Sequence, residues 1–196
     1  MTSLFWGIVC FALYFLYDIN SFTLQSKLLH GAFGVGTAIL AAATGADLYI
    51  AWKTGVFSGI LNFIFLLLGF VCFLCLIYCL FFALPFHETY SKQTTNRSVY
   101  DKGVYALCRH PGILCFFGMF LFLGLAALPT KLLLHGMIYS ILNLAYALFQ
   151  DRITFPKTFY DYHVYRERIP FLFPTKDSIR LARESWPVKD GKEGAS

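Results

Sequence analysis

This chain contains the stretch Gly103-Val-Tyr-Ala-Leu-Cys-Arg-His-Pro-Gly-Ile-Leu-Cys-Phe-Phe-Gly118, in which Arg109-His110-Pro111 stands directly against a long apolar run. Proline fits the first turn of a helix, where its missing N–H costs nothing, so a helix is predicted to start there. Free N–H groups and the positive dipole end meet at a helix start, which makes an anion the natural ligand of Arg109 and His110. The alternative is interfacial anchoring, in which Arg109 reaches the lipid headgroups and His110 caps the helix.

The composition indicates a membrane protein. Of the 196 residues, 58% are hydrophobic and only 14% are charged, which is too apolar for a soluble domain of this length. We expect an all-α, polytopic fold with about five transmembrane helices and a C-terminal catalytic segment on the cytoplasmic face. The spans are predicted at 4–17 (extended by its neighbours), 30–52, 57–86, 112–128 and 131–149, with polar connections at 18–29 and 87–102.

Several single residues add expectations to this scheme. The second span is rich in Gly and Ala, so it is predicted to lie centrally in the bundle. Asp47 within it could bind a substrate amine, but it is expected to reach the interface or a backbone donor. Pro156 is expected to break any helix that runs through it. The six cysteines are predicted to be packing residues, with neither a disulfide framework nor a metal site.

The basic residues predict the orientation of the chain. Fourteen Lys and Arg fall on the side that carries 18–29, 87–109 and the tail, against two on the other side, Lys53 and Lys131. The positive-inside rule therefore predicts an outside N-terminus and a cytoplasmic tail. The charge excess reports topology and requires no nucleic-acid partner.

The order of the spans brings two polar clusters together. The fourth and fifth spans form a hairpin joined by the tight turn Pro129-Thr130, so they begin and end on the same side. Arg109-His110 should consequently lie near Gln150-Asp151. This layout suits a ligand with an anionic end and either hydroxyls or a cation.

The motif in this region resembles that of the isoprenylcysteine carboxyl methyltransferase and phospholipid methyltransferase superfamily of integral membrane enzymes. That signature reads Gly-x-Tyr-x-x-x-Arg-His-Pro-x-Tyr-x-Gly, followed by a helical hairpin, a Glu-Glu pair, Tyr-x-x-Tyr and a Val-Pro ending. The resemblance covers about residues 100 to 174. The matching residues are Gly103, Tyr105, Arg109, His110 and Pro111, then Asp151 at the second Glu, Tyr162, Tyr165 and Ile169-Pro170.

The resemblance implies S-adenosylmethionine as cofactor at the cytoplasmic ends of the fourth and fifth spans, with Arg109, His110 and Asp151 as catalytic residues. Arg109 and His110, with nearby backbone N–H groups, would hold its carboxylate. Asp151 or Gln150 would take ribose hydroxyls or the amino group, and Tyr162 and Tyr165 would cover it. Gly103, Tyr105 and Pro111 complete the cofactor-binding set. The acceptor would be lipid-soluble and would enter from the bilayer, as a prenylcysteine-like carboxylate or a phospholipid-like amine.

The chain also departs from the family pattern. Ile113 replaces the Tyr after Arg-His-Pro, Cys115 replaces the following Gly, Gln150 replaces the first Glu, and Pro156 follows that pair. Two other classes stay open: a sterol-type membrane reductase with a nicotinamide cofactor, and a non-catalytic membrane protein that retains the fold. The sequence predicts one domain over 1–174, with its catalytic half at about 100–174. An interfacial basic helix and a disordered tail are predicted over 175–196.

Overall fold

A computed structural model of this protein describes residues 2–83 and 97–186. The predicted end of the third span at Pro85 and Phe86, the start of the polar loop and the predicted disordered tail from Pro187 lie outside the described residues. The described chain is all-helical. Its long helices are α1 (Thr2–Phe22), α2 (Ala32–Lys53), α3 (Ile60–Ile77), α5 (Pro111–Ala126) and α6 (Leu132–Phe149), and its short helices are α4 (Val104–Leu107), α7 (Phe155–Thr158), α8 (Tyr162–Arg168) and α9 (Lys176–Ser185).

Four helical stretches are long and apolar enough to cross a membrane: Thr2–Phe22, Leu29–Lys53, Ile60–Phe82 and Leu132–Thr158. They identify an integral membrane protein. The remaining predicted span, the fourth (112–128), corresponds to α5, which is apolar but has only 16 residues. α5 packs against α3 on one side and α6 on the other, and α1 packs against α2 and α6.

The first polar connection begins later than predicted, because α1 continues to Phe22. Polar residues of this stretch make hydrogen bonds within the protein. The Ser21 hydroxyl donates to Asp18 O at 2.6 Å, and Asn20 both donates to Ser26 O and accepts from Ser26 N. Asp18 and Asn20 are buried as a result.

The helix through Pro156 also differs from the prediction. α6 passes into a π-helical turn, Gln150–Thr154, and then into α7. Pro156 lies in the first turn of α7, where the lack of an N–H is tolerated. The continuous helical stretch that begins with α6 ends at Thr158, two positions beyond the proline.

The prediction that α2 is central is wrong. It packs mainly on α1, and a Cβ at Gly34 would meet nothing within 4 Å. Close approach occurs at Gly36 instead, where a Cβ would lie 3.0 Å from Tyr14 Cε1. The main apolar cluster joins α1, α2, α5 and α6 through rings that include Phe11, Phe120 and Tyr139.

Candidate functional site

Arg109 and His110 occupy the extended link between α4 and α5, and Pro111 opens α5 as the sequence predicts. Arg109 N donates to Pro170 O at 2.9 Å, and His110 N donates to Phe171 O at 3.2 Å. These bonds fold the segment after α8 back against the start of α5. They also occupy both backbone N–H groups, and Arg109 Nη1 donates to Arg166 O at 2.7 Å. Only side-chain nitrogens of Arg109 and His110 that have no such partner therefore remain to meet a ligand.

Asp151, in the π-helical turn after α6, lies at the centre of the cluster and is only 3% exposed. Its Oδ1 lies 2.9 Å from Arg109 Nε and accepts a 2.6 Å hydrogen bond from Tyr162 Oη. Its Oδ2 accepts from Arg109 Nη2 at 3.4 Å and lies 3.7 Å from Arg166 Nε. The predicted proximity of Arg109-His110 to Asp151 is thus confirmed as geometry.

Two buried donors in this cluster have no hydrogen-bond acceptor among the described residues: Arg109 Nε and His110 Nε2. Arg109 Nε is close to Asp151 but is poorly aligned for a hydrogen bond. His110 Nε2 is 3.6 Å from Asp151 Oδ1, which is too long for one. Their side chains are 9% and 8% exposed, so water does not freely replace the acceptor. Unsatisfied buried donors are costly, and two adjacent ones favour a bound anionic group.

Aromatic rings fix the orientation of His110. Its ring stacks on Phe155 with the centroids 5.8 Å apart and lies 4.9 Å from the ring of Phe171. The guanidinium carbon of Arg109 lies 5.7 Å from the Phe171 ring centroid. These rings hold both side chains in place and lower the local dielectric, which strengthens any ion pair made here.

The two tyrosines predicted to cover a cofactor are mostly buried, and their hydroxyls hydrogen-bond to neighbouring protein groups. Tyr162 holds Asp151, and Tyr165 Oη donates to Tyr105 O at 2.7 Å. Burial raises the pKa of both phenols, and the bond to Asp151 raises that of Tyr162 further, so both remain protonated donors. Tyr105 Oη in turn donates to Cys79 O at 2.9 Å in the π-helical turn Tyr78–Phe82 after α3.

α9 is joined to the same region. Gly103 caps α4 with φ at +59°, a conformation that L side chains rarely adopt, and its N–H donates to Ser185 Oγ. Ser178 and Ala182 are buried on the face of α9 that packs toward α4. The predicted basic helix therefore exists, and its inner face is covered by protein.

Gln150 faces a different cluster. Its side-chain nitrogen donates to Tyr146 Oη at 3.0 Å, and both groups lie within hydrogen-bonding reach of the buried Asp18. Thr154 Oγ1 donates to Asp18 at 3.4 Å. The π-helical turn consequently presents Asp151 to Arg109 and presents Gln150 and Thr154 to α1.

An arginine-rich cleft of about 310 Å³ opens beside Arg109. It is also lined by Arg166, Glu167, Arg168 and Thr175, with the apolar segment 169–171 along one wall. Sequence reasoning missed this lining, although Arg166-Glu167-Arg168 directly follows the Tyr-x-x-Tyr motif. Cys115, one of the departures from the family pattern, does not line this cleft, and its thiol lies near that of Cys79.

A second buried acid–base pair lies near the start of α6, and it corrects the expectation for Asp47. Asp47 Oδ2 lies 2.7 Å from His135 Nδ1, and Asp47 Oδ1 accepts from Ser3 Oγ at 2.7 Å. Tyr139 Oη donates to Ser3 O at 2.8 Å, which ties α1, α2 and α6 together. Asp47 thus meets neither the interface nor a backbone donor. In the part of the chain that the structure describes, no three His, Cys, Asp or Glu residues are grouped to hold a metal ion.

Comparison with known proteins adds no relative. No family model matches the chain, and neither a curated protein nor a solved structure matches it.

Proposed function

We propose that this protein is an integral membrane S-adenosylmethionine-dependent methyltransferase that acts on a lipid-embedded acceptor. The observation that carries the proposal is the pair of buried, unsatisfied donors, Arg109 Nε and His110 Nε2, beside the cleft. In this proposal α5 is the fourth of five spans, and the site faces the cytoplasm, as the distribution of Lys and Arg predicts.

The residues fit the cofactor in size and charge. A cleft of about 310 Å³ is at the lower end of the roughly 300–1,000 Å³ typical of small-molecule pockets. The cluster offers cationic donors beside an acid, which suits the zwitterionic end of an amino-acid-derived cofactor. Arg109 and His110 would hold its carboxylate by charge-assisted hydrogen bonds.

When bound, the cofactor supplies an electrophilic methyl group on a sulfonium, whose transfer mainly needs alignment and exclusion of water. The chain supplies both. Asp151 and Tyr162 orient Arg109, and Phe155 and Phe171 enclose His110. Because Asp151 is already engaged by the protein's own donors, its role here is to position Arg109.

The acceptor determines whether a base is needed. A prenylcysteine-like carboxylate is ionised and needs none, whereas a phospholipid-like amine must lose a proton. Asp151 is occupied and His110 Nε2 is assigned to the cofactor carboxylate, so the cluster suits the carboxylate acceptor, which needs no base. An apolar acceptor can reach the site from the bilayer without entering water.

The test is thermal stabilisation of the purified full-length chain in detergent by S-adenosylhomocysteine, compared with a reduced nicotinamide dinucleotide. We expect a concentration-dependent rise in Tm with the first ligand only, because binding to the native state alone stabilises it. A rise with the dinucleotide alone would favour the reductase. A well-folded protein that responds to neither would favour a non-catalytic protein that retains the fold.

A further inference from the structure

The cleft contains an acid that the family resemblance does not assign. Glu167, in α8, is the one acidic side chain among the described residues that line the cleft. Although Arg166 and Arg168 flank it, it forms no ion pair or hydrogen bond with any described residue: Arg166 pairs with Asp151 at 3.7 Å and Arg168 with Asp101 at 3.8 Å. An acid that stays unpaired among arginines is open to a ligand.

The two side chains predicted to bind ribose hydroxyls are engaged elsewhere. Asp151 accepts from Tyr162 and Arg109 and is 3% exposed. Gln150 donates to Tyr146 in the cluster around Asp18. A bound nucleoside would therefore find neither of them free to accept its hydroxyl hydrogens.

We propose that Glu167 binds the ribose hydroxyls of S-adenosylmethionine, an inference that rests on the proposed function. The site is graded in burial, because the side chains of Arg109 and of the neighbouring His110 are 9% and 8% exposed, whereas Glu167 in the cleft is exposed. A ligand whose carboxylate reaches the buried nitrogens extends outward toward the rim. A carboxylate there is suited to accept from ribose hydroxyls, as acidic residues do in other nucleotide sites.

The test measures S-adenosylhomocysteine affinity of the full-length protein by calorimetry, for the parent and for Glu167→Gln. Glutamine keeps the shape but loses the charge, so we expect binding to weaken roughly three- to tenfold. The matched control is Glu184→Gln, an exposed acid on α9, which should bind like the parent. Unliganded melting curves of both variants should coincide with that of the parent, because both side chains are exposed.

The 2′-deoxyribose analogue of S-adenosylhomocysteine separates the hydroxyl contact from other contacts. If Glu167 binds that hydroxyl, the difference in affinity between the parent and Glu167→Gln should be much smaller for the analogue than for S-adenosylhomocysteine. An equal loss for both ligands would overturn the ribose assignment, and a variant that binds like the parent would overturn the inference while leaving the proposed function intact. A parent that does not bind S-adenosylhomocysteine would overturn the proposed function itself.

Discussion

A buried acid from another element lies near each end of α6, and the hydrogen bonding around the two acids is complete to different degrees. Near its start, Asp47 takes one contact on each oxygen, from Ser3 and His135, both at 2.7 Å. Beyond its end, Asp151 gathers more donors, yet two buried nitrogens around it find no acceptor. The complete cluster has the contacts of a structural pair, whereas the incomplete one is where we place the proposed binding site. The two clusters differ in how fully their buried nitrogens are bonded, and not in burial.

The largest expected effect is at the complete cluster. His135→Leu leaves Asp47 buried without the imidazole that lies 2.7 Å from its Oδ2, and breaking a buried pair in this way costs about 3–5 kcal/mol of stability. The free energy of unfolding, measured in detergent, should fall by this order. The double variant Asp47→Leu, His135→Leu should recover most of the loss, because it removes both buried polar groups. No recovery would contradict the structural role.

Arg109→Ala should act mainly on ligand binding. Charge-assisted bonds contribute about 1.5–3 kcal/mol, so S-adenosylhomocysteine affinity should fall roughly tenfold to a hundredfold. Arg109→Lys should restore only part of it, because lysine lacks the planar fork. The exposed Arg183→Ala serves as the control and should bind like the parent. If Arg109→Ala binds S-adenosylhomocysteine as tightly as the parent, the proposed difference between the clusters at the two ends of α6 is wrong.

Each cluster also contains a hydroxyl that donates to the acid. Removing each hydroxyl in turn gives a matched pair of variants. Ser3→Ala and Tyr162→Phe should each destabilise the fold by about 1.5 kcal/mol, but only Tyr162→Phe should also weaken ligand binding. Equal ligand affinity in both variants would argue against a site at Asp151.

The Tyr162 bond also has a predicted pH dependence. The folded-state pKa of Tyr162 is raised by burial and by Asp151, so its stabilisation is fully present below the unfolded pKa of about 10 and is lost as pH rises further. The stability difference between parent and Tyr162→Phe should be constant from pH 7 to 9 and shrink above about pH 10. Unfolding curves at several pH values measure it, and a difference that shrank already below pH 9 would contradict the assignment.

The smallest effect is expected at Gln150. Because its side chain bonds to Tyr146 and not to the Arg109 cluster, Gln150→Ala should leave ligand affinity within about twofold while costing about 1 kcal/mol of stability. Calorimetry and melting curves would show both. A large loss of affinity would reinstate Gln150 as a cofactor ligand.

The sequence was sufficient to predict that Arg109 lies near Asp151, because a hairpin fixes which helix ends meet, but not that the two form an ion pair. It could not predict that Asp47 pairs with His135, since the two lie 88 positions apart and nothing local marks them as partners. It also could not show which polar groups face each other across the π-helical turn. That turn rotates Gln150 toward α1 and Asp151 toward α5, a packing outcome that adjacent positions in the sequence do not reveal.

The 16 residues of α5 have a consequence for the bilayer itself. At ~1.5 Å per residue they span about 24 Å, against a hydrocarbon thickness of ~30 Å. As the proposed fourth span, α5 is in negative hydrophobic mismatch, which bilayers accommodate by thinning locally around the helix. Under the proposed function, such thinning would bring the nearer headgroup plane toward His110 and shorten the path of an acceptor to it. Acyl-chain length would then control access to the proposed site through the length of one helix.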